Sequence, residues 1–290
     1  MSIPSFSKLI AGTMTWGTWG KNLSTAEMAA LMHTCVDAGI SSFDHADIYG
    51  DYSTEAAFGE AFRVSKLPRN NIQLISKCGI QMKSAQRNTS VKHYNYDKAY
   101  IIASAEQSLK NLQTDYLDLL LLHRPSPLMD VNEIGEAVDS LQQSGKILGF
   151  GVSNFTNVQT ALMQTIGAVH ANQVQFSLTH TQPINDGSFN YMQANNIIPM
   201  CWSPLGSIFK KHAEVNNTLY TTLASMCEKY NCTTDVLLLA WILQHPANIL
   251  PVFGSASASR INNMMQATNI TLELQDWFLL LQSAEGKEVA

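Results

Sequence analysis

The chain has 290 residues, of which 46% are hydrophobic and 14% are charged, and its formal net charge is -5. This apolar fraction excludes a disordered chain, and the lack of a basic surplus argues against nucleic acid and anionic membranes as partners. The apolar run 236–243 is too short to cross a membrane. The five cysteines show no Cys-x-x-Cys spacing, and the N-terminus shows no signal-peptide pattern. We therefore expect reduced thiols and a cytoplasmic location.

Strand and helix signals alternate along the chain from residue 8. Ser24 and Glu27 fit a capping box, and the apolar residues after them have helical spacing up to Gly39. The next stretch reads as a second strand, and Asp44 follows where its apolar character ends. Eight strands are predicted in this way, at 8–13, 40–43, 73–77, 116–123, 147–152, 173–176, 197–202 and 249–253.

Helices are predicted after nearly every strand, and the last one, at 272–284, is an extra C-terminal helix. The two longest irregular segments are a polar loop at 81–97 and a looser region at 207–217. Sustained alternation of strands and helices implies a parallel sheet. Because there are eight units and no glycine-rich dinucleotide fingerprint, we predict an α/β fold, a (β/α)8 TIM barrel that forms a single domain over 1–290.

In a barrel of this kind, the side chains at the carboxyl ends of the strands meet at one mouth, where active sites lie. An acid, a lysine and a histidine at three successive strand ends form a defined group, although the acid and the lysine could also be a buried ion pair that only stabilises the barrel mouth. The polar residues at or just after the predicted strand ends are Asp44, Lys77, His123, Ser153, Asn154, Gln175 and Ser203.

The chemistry of this group suggests proton transfer. Lys77 lies in an apolar strand, so its charge needs a carboxylate nearby, and Asp44 is the natural partner. Tyr49 must be brought back over the strand end by a turn. A charged lysine beside it is expected to lower the phenol pKa from about 10 toward neutrality, which makes Tyr49 a proton donor and acceptor. His123 would orient a substrate oxygen, while another molecule delivers hydride.

The chain resembles the aldo-keto reductases over nearly its whole length, and most of all a bacterial branch of predicted oxidoreductases. Six short motifs carry this resemblance, and they occur at the predicted strand ends in the order found in the family. They are Phe43-Asp44-x-Ala46-x-x-Tyr49-Gly50, Ser76-Lys77, Leu122-His123-Arg124-Pro125, Gly151-Val152-Ser153-Asn154-Phe155, Gln173-Val174-Gln175 and Trp202-Ser203-Pro204-Leu205-Gly206.

The resemblance implies reduction of a small-molecule carbonyl substrate with a nicotinamide cofactor as the hydride source. Tyr49 would be the general acid and His123 would position the carbonyl group. Lys77 would depress the phenol pKa, and Asp44 would be the partner of Lys77. The resemblance leaves the oligomeric state and the identity of the carbonyl compound open.

The same matching implies residues that hold the cofactor. Ser153, Asn154 and Gln175 would hold the carboxamide, and Trp202 would stack on the nicotinamide ring. The pyrophosphate would be lined by Ser203, Leu205 and Gly206.

A later segment resembles the part of the family that grips the adenosine 2′-phosphate, which favours NADPH over NADH. Its residues are Gly254, Ser255 and Arg260, whose planar guanidinium suits a phosphate. Asn263 stands where the family often has an acidic residue, and Met264 stands where it usually has an asparagine near the adenine. These two departures concern the affinity and preference for the cofactor.

Other interpretations remain open at the level of sequence. The barrel could be a nucleotide-binding regulatory subunit with little turnover, because fold does not fix function. His45 and Asp47 alternate like metal ligands of a hydrolase, but without a clear third ligand no metal site is predicted. Trp16 and Trp19 could pack the barrel end or form walls of a substrate pocket. The Lys92-His93-Tyr94 segment could be a solvated loop or a substrate lid.

Overall fold

A computed structural model describes residues 5–84, 86–210 and 217–289. Its centre is a closed barrel of eight parallel strands in the order β1-β2-β3-β6-β7-β8-β9-β10, with β10 paired to β1. This confirms the predicted (β/α)8 TIM barrel. The strands are β1 Ile10–Gly12, β2 Ser42–Asp44, β3 Gln73–Cys78, β4 Ile80–Gln81, β5 His93–Tyr94, β6 Leu119–Leu122, β7 Phe150–Ser153, β8 Ala171–Gln175, β9 Ile198–Trp202 and β10 Leu250–Phe253.

The helices surround the barrel and cover its outer face. The predicted capping box is confirmed, because Ser24 and Glu27 exchange the two expected hydrogen bonds at the start of α1. The helices are α1 Thr25–Asp37, α2 Tyr49–Tyr52, α3 Thr54–Ser65, α4 Lys98–Leu112, α5 Val131–Gln143, α6 Asn157–Gln164, α7 Gln182–Asn185, α8 Ser188–Ala194, α9 Asn217–Lys229, α10 Thr234–Leu243, α11 Ala258–Met264 and α12 Leu274–Glu285, with short 3-10 turns at Arg69–Asn71 and Met265–Asn269.

The four leucines of β6 show why the strands are so apolar. Leu119 and Leu121 belong to the small cluster of buried residues inside the barrel, whereas Leu120 and Leu122 belong to the large cluster between barrel and helices. Alternate side chains of a strand point to opposite faces, so a strand buried on both faces needs a continuous apolar run.

The turn after β2 has an unusual backbone. Gly50, Asp51 and Tyr52 all have positive φ, at 61°, 55° and 66°. A side chain at position 50 would also place its Cβ 2.4 Å from Thr54 Oγ1, so both the conformation and the space require glycine. Non-glycine residues in this region are strained, and such strain is often found at functional sites. The turn folds Tyr49 back over the end of β2, as the sequence predicted.

Two predicted irregular segments have different outcomes. Within 81–97, the predicted loop is partly wrong, because β4 and β5 form an antiparallel hairpin beside the barrel mouth. Of the region predicted as loose at 207–217, residues 211–216 lie outside the described residues. Within the parts that are described, no helix combines the length and apolar character needed to cross a membrane.

Candidate active site

The ammonium group of Lys77 lies at the centre of a buried polar cluster at the barrel mouth. Its Nζ donates to Asp44 Oδ1 and Oδ2, both at 2.7 Å, and to the carbonyl oxygen of His45 at 2.8 Å. The phenol oxygen of Tyr49 lies 3.3 Å from the same nitrogen. The structure therefore brings together three of the four residues predicted for proton transfer, from β2, its following turn and β3.

The surroundings keep Lys77 charged although only 1% of its surface is exposed. Burial by itself lowers the pKa of a lysine, but the neighbouring Asp44 and Tyr49 more than compensate and raise the pKa of Lys77 above its usual value. A buried cation of this kind is stable only with its partners in place, since removal of one partner leaves an uncompensated charge.

The expected direction of the Tyr49 pKa is wrong for this structure. Burial raises the pKa of Tyr49, and this effect exceeds the lowering caused by the nearby Lys77. The charge of the lysine is visible in the sequence, but the desolvation of the phenol depends on packing that only the fold shows. As a consequence, Tyr49 carries its proton at neutral pH and is a proton donor held beside a permanent cation.

His123 follows β6 and lies next to the phenol ring. Its ring centroid is 6.1 Å from that of Tyr49, in an edge-to-face arrangement. Burial, together with the positive charges of Lys77, Arg124 and Lys92, lowers the pKa of His123 well below its usual value. The imidazole is therefore neutral at physiological pH, and a neutral ring can donate one hydrogen bond to a substrate oxygen.

A fifth polar residue completes this cluster and was not among the predicted site residues. Gln173 Nε2 donates to Asp44 Oδ1 at 2.9 Å, and Gln173 lines the cleft above the cluster. The predicted Gln175 ends β8 and does not line that cleft. Since residues two apart share a strand face, the motif that contains both glutamines could have suggested either one.

The cluster forms the floor of a cleft of about 690 Å³. One wall is mainly apolar and aromatic, and Trp19 lies 6.2 Å from Tyr49 between ring centroids. Trp16, in contrast, is fully buried between Phe43 and Phe58. The two tryptophans therefore differ: Trp16 packs the barrel end and Trp19 faces the cleft. The apolar and aromatic residues of this wall are Met14, Trp19, Ile48, Ile80 and Tyr94.

The opposite wall carries side chains that can bind a carboxamide beside an aromatic ring. Asn154 Nδ2 donates to Ser153 Oγ at 2.8 Å, and Trp202 Nε1 donates to Asn154 Oδ1 at 2.9 Å. Asn154 has a positive φ of 58°, a conformation that asparagine tolerates better than most residues. Amide and hydroxyl groups beside an indole ring suit a nicotinamide ring with its carboxamide.

The loop after β9 contributes two further predicted residues to the cleft. Ser203 and Leu205 line it, but Gly206 lies behind them. A Cβ at position 206 would meet Thr179 Oγ1 at 2.1 Å, and the φ of Gly206 is 58°, so this glycine permits the close approach of two loops. Its contribution to the site is the shape of the loop.

The residues predicted to bind the 2′-phosphate lie after β10 and on α11. Gly254 lines the cleft, whereas Ser255 is buried and its carbonyl oxygen accepts a hydrogen bond from Trp16 Nε1. Arg260 is half exposed, with Nη2 3.6 Å from Asp235 Oδ2. Asn263 Nδ2 donates to Thr233 Oγ1 at 2.7 Å. Neither Arg260 nor Asn263 lines the cleft itself.

His45 and Asp47, which alternate in the sequence like metal ligands, have different hydrogen-bond partners. His45 is fully buried, with Nδ1 2.9 Å from Thr13 Oγ1, and burial lowers its pKa to about 3. Asp47 Oδ2 accepts from Ser104 Oγ at 3.1 Å on α4. Among the described residues, no three His, Cys, Asp or Glu side chains are grouped to hold a metal ion.

Known proteins resemble this chain over nearly its whole length. The model of the aldo/keto reductase family matches residues 8–283. The oxidoreductase YcsN of Bacillus subtilis is 39% identical over 98% of this chain and 96% of its own, and a 6-dehydroglucose reductase of Agrobacterium fabrum is 36% identical over 98% and 97%. An aldo/keto reductase of Klebsiella pneumoniae, solved with NADP and acetate, superposes with a TM-score of 0.77 at 26% identity, covering 93% of this chain and 89% of its own.

Proposed function

The chain belongs to the aldo/keto reductase family, and we propose that it reduces aldehyde or ketone carbonyls of small molecules to alcohols, with NADPH as the hydride donor. The observation that carries this proposal is the contact between the phenol of Tyr49 and the ammonium of Lys77, which is itself ion-paired with Asp44. A protonated acid beside a fixed cation, at the floor of an open cleft, suits proton delivery to a carbonyl oxygen.

Tyr49 is the general acid in this mechanism. Its hydroxyl gives its proton to the carbonyl oxygen as negative charge develops there, and the phenolate that remains is stabilised by the ammonium of Lys77. Asp44 keeps Lys77 charged and in position through two hydrogen bonds of 2.7 Å. Gln173 holds Asp44 from the other side, so we assign it a positioning role that the sequence did not suggest.

His123 orients the substrate. Because its imidazole is neutral, it can donate a hydrogen bond to the same carbonyl oxygen without competing with Tyr49 as the acid. Two donors that converge on one oxygen fix its place and stabilise the charge that forms during reduction.

The cofactor, when bound, supplies hydride to the carbonyl carbon. Ser153, Asn154 and Gln173 would hold its carboxamide, and Trp202 would stack on the nicotinamide ring. Ser203 and Leu205 would line the pyrophosphate, with Gly206 and Ser255 shaping the loops around it. The half-exposed guanidinium of Arg260 is our candidate for the 2′-phosphate, with Gly254 and Asn263 nearby in the chain. This preference for NADPH is supported by the chemistry of the arginine.

We also propose that the protein acts in the cytoplasm. The five cysteines are all unpaired, which agrees with a reducing compartment.

The proposal is tested by mixing the purified protein with NADPH and a panel of activated aldehydes and following cofactor oxidation. Tyr49→Phe should lower kcat at least about 100-fold because the proton donor is lost. NADPH affinity should stay within about twofold, since the hydroxyl of Tyr49 is bonded to Lys77 and not to a residue proposed to hold the dinucleotide. Lys77 keeps Asp44 and the His45 carbonyl as partners, so the fold should be retained.

Tyr94→Phe is the matched control, because Tyr94 also lines the cleft but has no contact with Lys77. Its kcat should remain within about fivefold of that of the unmodified protein. Equal rates for the Tyr49→Phe variant and the unmodified protein across the whole panel would contradict the proposal.

A further inference from the structure

The charges that line the cleft are unevenly distributed. Asp44 is the only acidic residue among the described residues of its lining, and its carboxylate is already bound by Lys77 and Gln173. Two cations, Lys92 and Arg124, also line the cleft. The protein as a whole is acidic, with a net charge of -5, so a cleft with surplus positive charge is a local feature.

The backbone of Arg124 is fixed in place. The hydroxyl of Tyr96 accepts a hydrogen bond from the Arg124 backbone N–H at 3.2 Å and donates another to its carbonyl oxygen. The guanidinium lies 5.5 Å from the ring centre of Trp202 and forms no ion pair within the described part of the chain. Its five N–H groups are thus available to a ligand.

Lys92 reaches the same cleft from the hairpin. It directly precedes β5, whose pairing with β4 holds this segment beside the mouth of the barrel. No carboxylate forms an ion pair with Lys92 across residues 5–84, 86–210 and 217–289. Both cations also act electrostatically on the floor of the cleft, since Arg124 and Lys92 each contribute to the lowered pKa of His123.

We propose that Lys92 and Arg124 bind an anionic group of the substrate, so that the preferred substrates are aldehydes or ketones that carry a carboxylate. This inference rests on the proposed reductase function and adds a substrate class to it. A planar guanidinium and a carboxylate match as a two-hydrogen-bond pair, and an ammonium adds a third contact. Neither cation is paired with a carboxylate in the described part of the protein, so both are free to bind the carboxylate of a substrate.

A phosphate of the cofactor could satisfy the same cations, but their place in the barrel favours the substrate. Arg124 follows β6 and Lys92 precedes β5, close to His123 and Tyr94. Arg124 also lies beside Trp202, where the nicotinamide ring would stack. The residues proposed for the pyrophosphate and the 2′-phosphate follow β9 and β10, farther round the barrel from β6. The two sources of negative charge are distinguished by measuring substrate preference and cofactor affinity on the same variants.

The test compares 4-formylbenzoate with its methyl ester, two aldehydes that differ in one negative charge. For the unmodified protein we expect a KM about tenfold lower for the acid, which corresponds to about 1.4 kcal/mol. The acid-to-ester preference should shrink severalfold in Lys92→Met and in Arg124→Met, and should disappear in the double variant. Lys83→Met is the control, because Lys83 is an exposed lysine of the same segment that does not line the cleft.

Calorimetric titration of both compounds, with NADP+ present and without it, measures the same preference without turnover. The protein could bind the acid more tightly than the ester through Lys92 and Arg124 and yet reduce no aldehyde. That result would support the anion site and contradict the proposed reductase function. An equal affinity for acid and ester, or a preference that the double variant retains, would overturn the inference. So would weaker NADP+ binding by the double variant with an unchanged preference, because the cations would then belong to the cofactor site.

Discussion

At the scale of single residues, the main feature of the site is a tyrosine that stays protonated beside a lysine that stays charged. Burial dominates the pKa of Tyr49, and the two partners dominate that of Lys77. The lysine therefore does not need to make the phenol acidic in the resting protein. Its larger role in our mechanism is to stabilise the phenolate that forms when the proton leaves.

The pH dependence of reduction follows from these directions. A raised pKa keeps Tyr49 protonated until pH exceeds its folded value, so the rate should fall only on the alkaline side. The lowered pKa of His123 keeps the imidazole neutral, so no step is expected near its usual value of about 6.5. We predict that kcat/KM for a neutral aldehyde is flat between about pH 6 and about pH 9.

Steady-state rates across this range check the prediction. A step near pH 6.5 that disappears in His123→Asn would show that His123 titrates normally and would contradict its assigned neutral state.

The sequence was informative about some of these residues and silent about others. Asp44, Lys77 and His123 could be named because each follows or ends an apolar strand, and Tyr49 because it lies in the polar turn that follows Asp44. The direction of the Tyr49 pKa shift could not be predicted, since the desolvation of the phenol depends on packing from several elements. Gln173 was not predicted because Gln175, two residues along the same strand, was chosen for the same role. The position of Arg124 in the cleft required the fold of the Tyr96 segment that holds it.

At the scale of elements, the C-terminal helix α12 is joined to α10, one of the helices around the barrel, by a tryptophan pair. Trp241 and Trp277 stack with ring centroids 4.8 Å apart. Each indole N–H also donates to the other residue's backbone carbonyl, at 3.1 and 3.0 Å. Aromatic stacking adds stability beyond the area that the rings bury, and both indole donors are satisfied. This explains why a helix after the last barrel strand remains attached.

Trp277→Ala should destabilise the protein without changing its chemistry. We expect the free energy of unfolding to fall by about 2–3 kcal/mol, because the stacked ring and the hydrogen bond donated by its indole N–H are lost from a partly buried place. Leu279→Ala, a change at an exposed position of the same helix, is the control and should cost less than about 1 kcal/mol. Denaturant unfolding measures both values. Equal losses for the two variants would mean that the pair does not anchor α12.

The helices and strands with strong sequence patterns were predicted correctly. The capping box of α1 placed its start correctly, and all eight barrel strands were found. The ends of the strands were less certain, since β6 is only Leu119–Leu122 within the apolar run 116–123. The hairpin β4–β5 was missed because its two-residue strands are too short to show alternation, and its pairing depends on the rest of the barrel mouth.

At the scale of the whole molecule, a second buried polar cluster links stability to pH. Asp47 lies near Glu55 between the barrel and its helices, and both carboxyl groups are almost fully buried. Burial, with the neighbouring Glu55, raises the pKa of Asp47 to about 7, while Ser104 and Arg87 act in the opposite direction. The folded protein therefore holds a proton on Asp47 that the unfolded chain releases at much lower pH.

The sign of this linkage is fixed by the raised pKa. Between the unfolded value of 3.8 and the folded value of about 7, the folded state binds more protons, so stability from this group falls as pH rises. Asp47→Asn removes the titrating group and keeps an acceptor for Ser104. We predict that its stability relative to the unmodified protein improves by up to about 2–3 kcal/mol from about pH 5 to about pH 8.

Thermal unfolding at several pH values checks this expectation, with the exposed Asp139→Asn as the control that should show no such trend. A constant difference between Asp47→Asn and the unmodified protein at all pH values would contradict the raised pKa.

The central claim, that this cleft transfers hydride from a nicotinamide to a carbonyl carbon while Tyr49 supplies the proton, is tested most directly by tracing the hydride. The protein is given an aldehyde with NADPH deuterated at either of the two C4 positions, and the alcohol is analysed by NMR. We predict deuterium on the carbinol carbon from one labelled cofactor only, because Trp202 would cover one face of the ring, and almost none with Tyr49→Phe. Cofactor oxidation without deuterium in the alcohol, or equal labelling by the Tyr49→Phe variant, would contradict the claim.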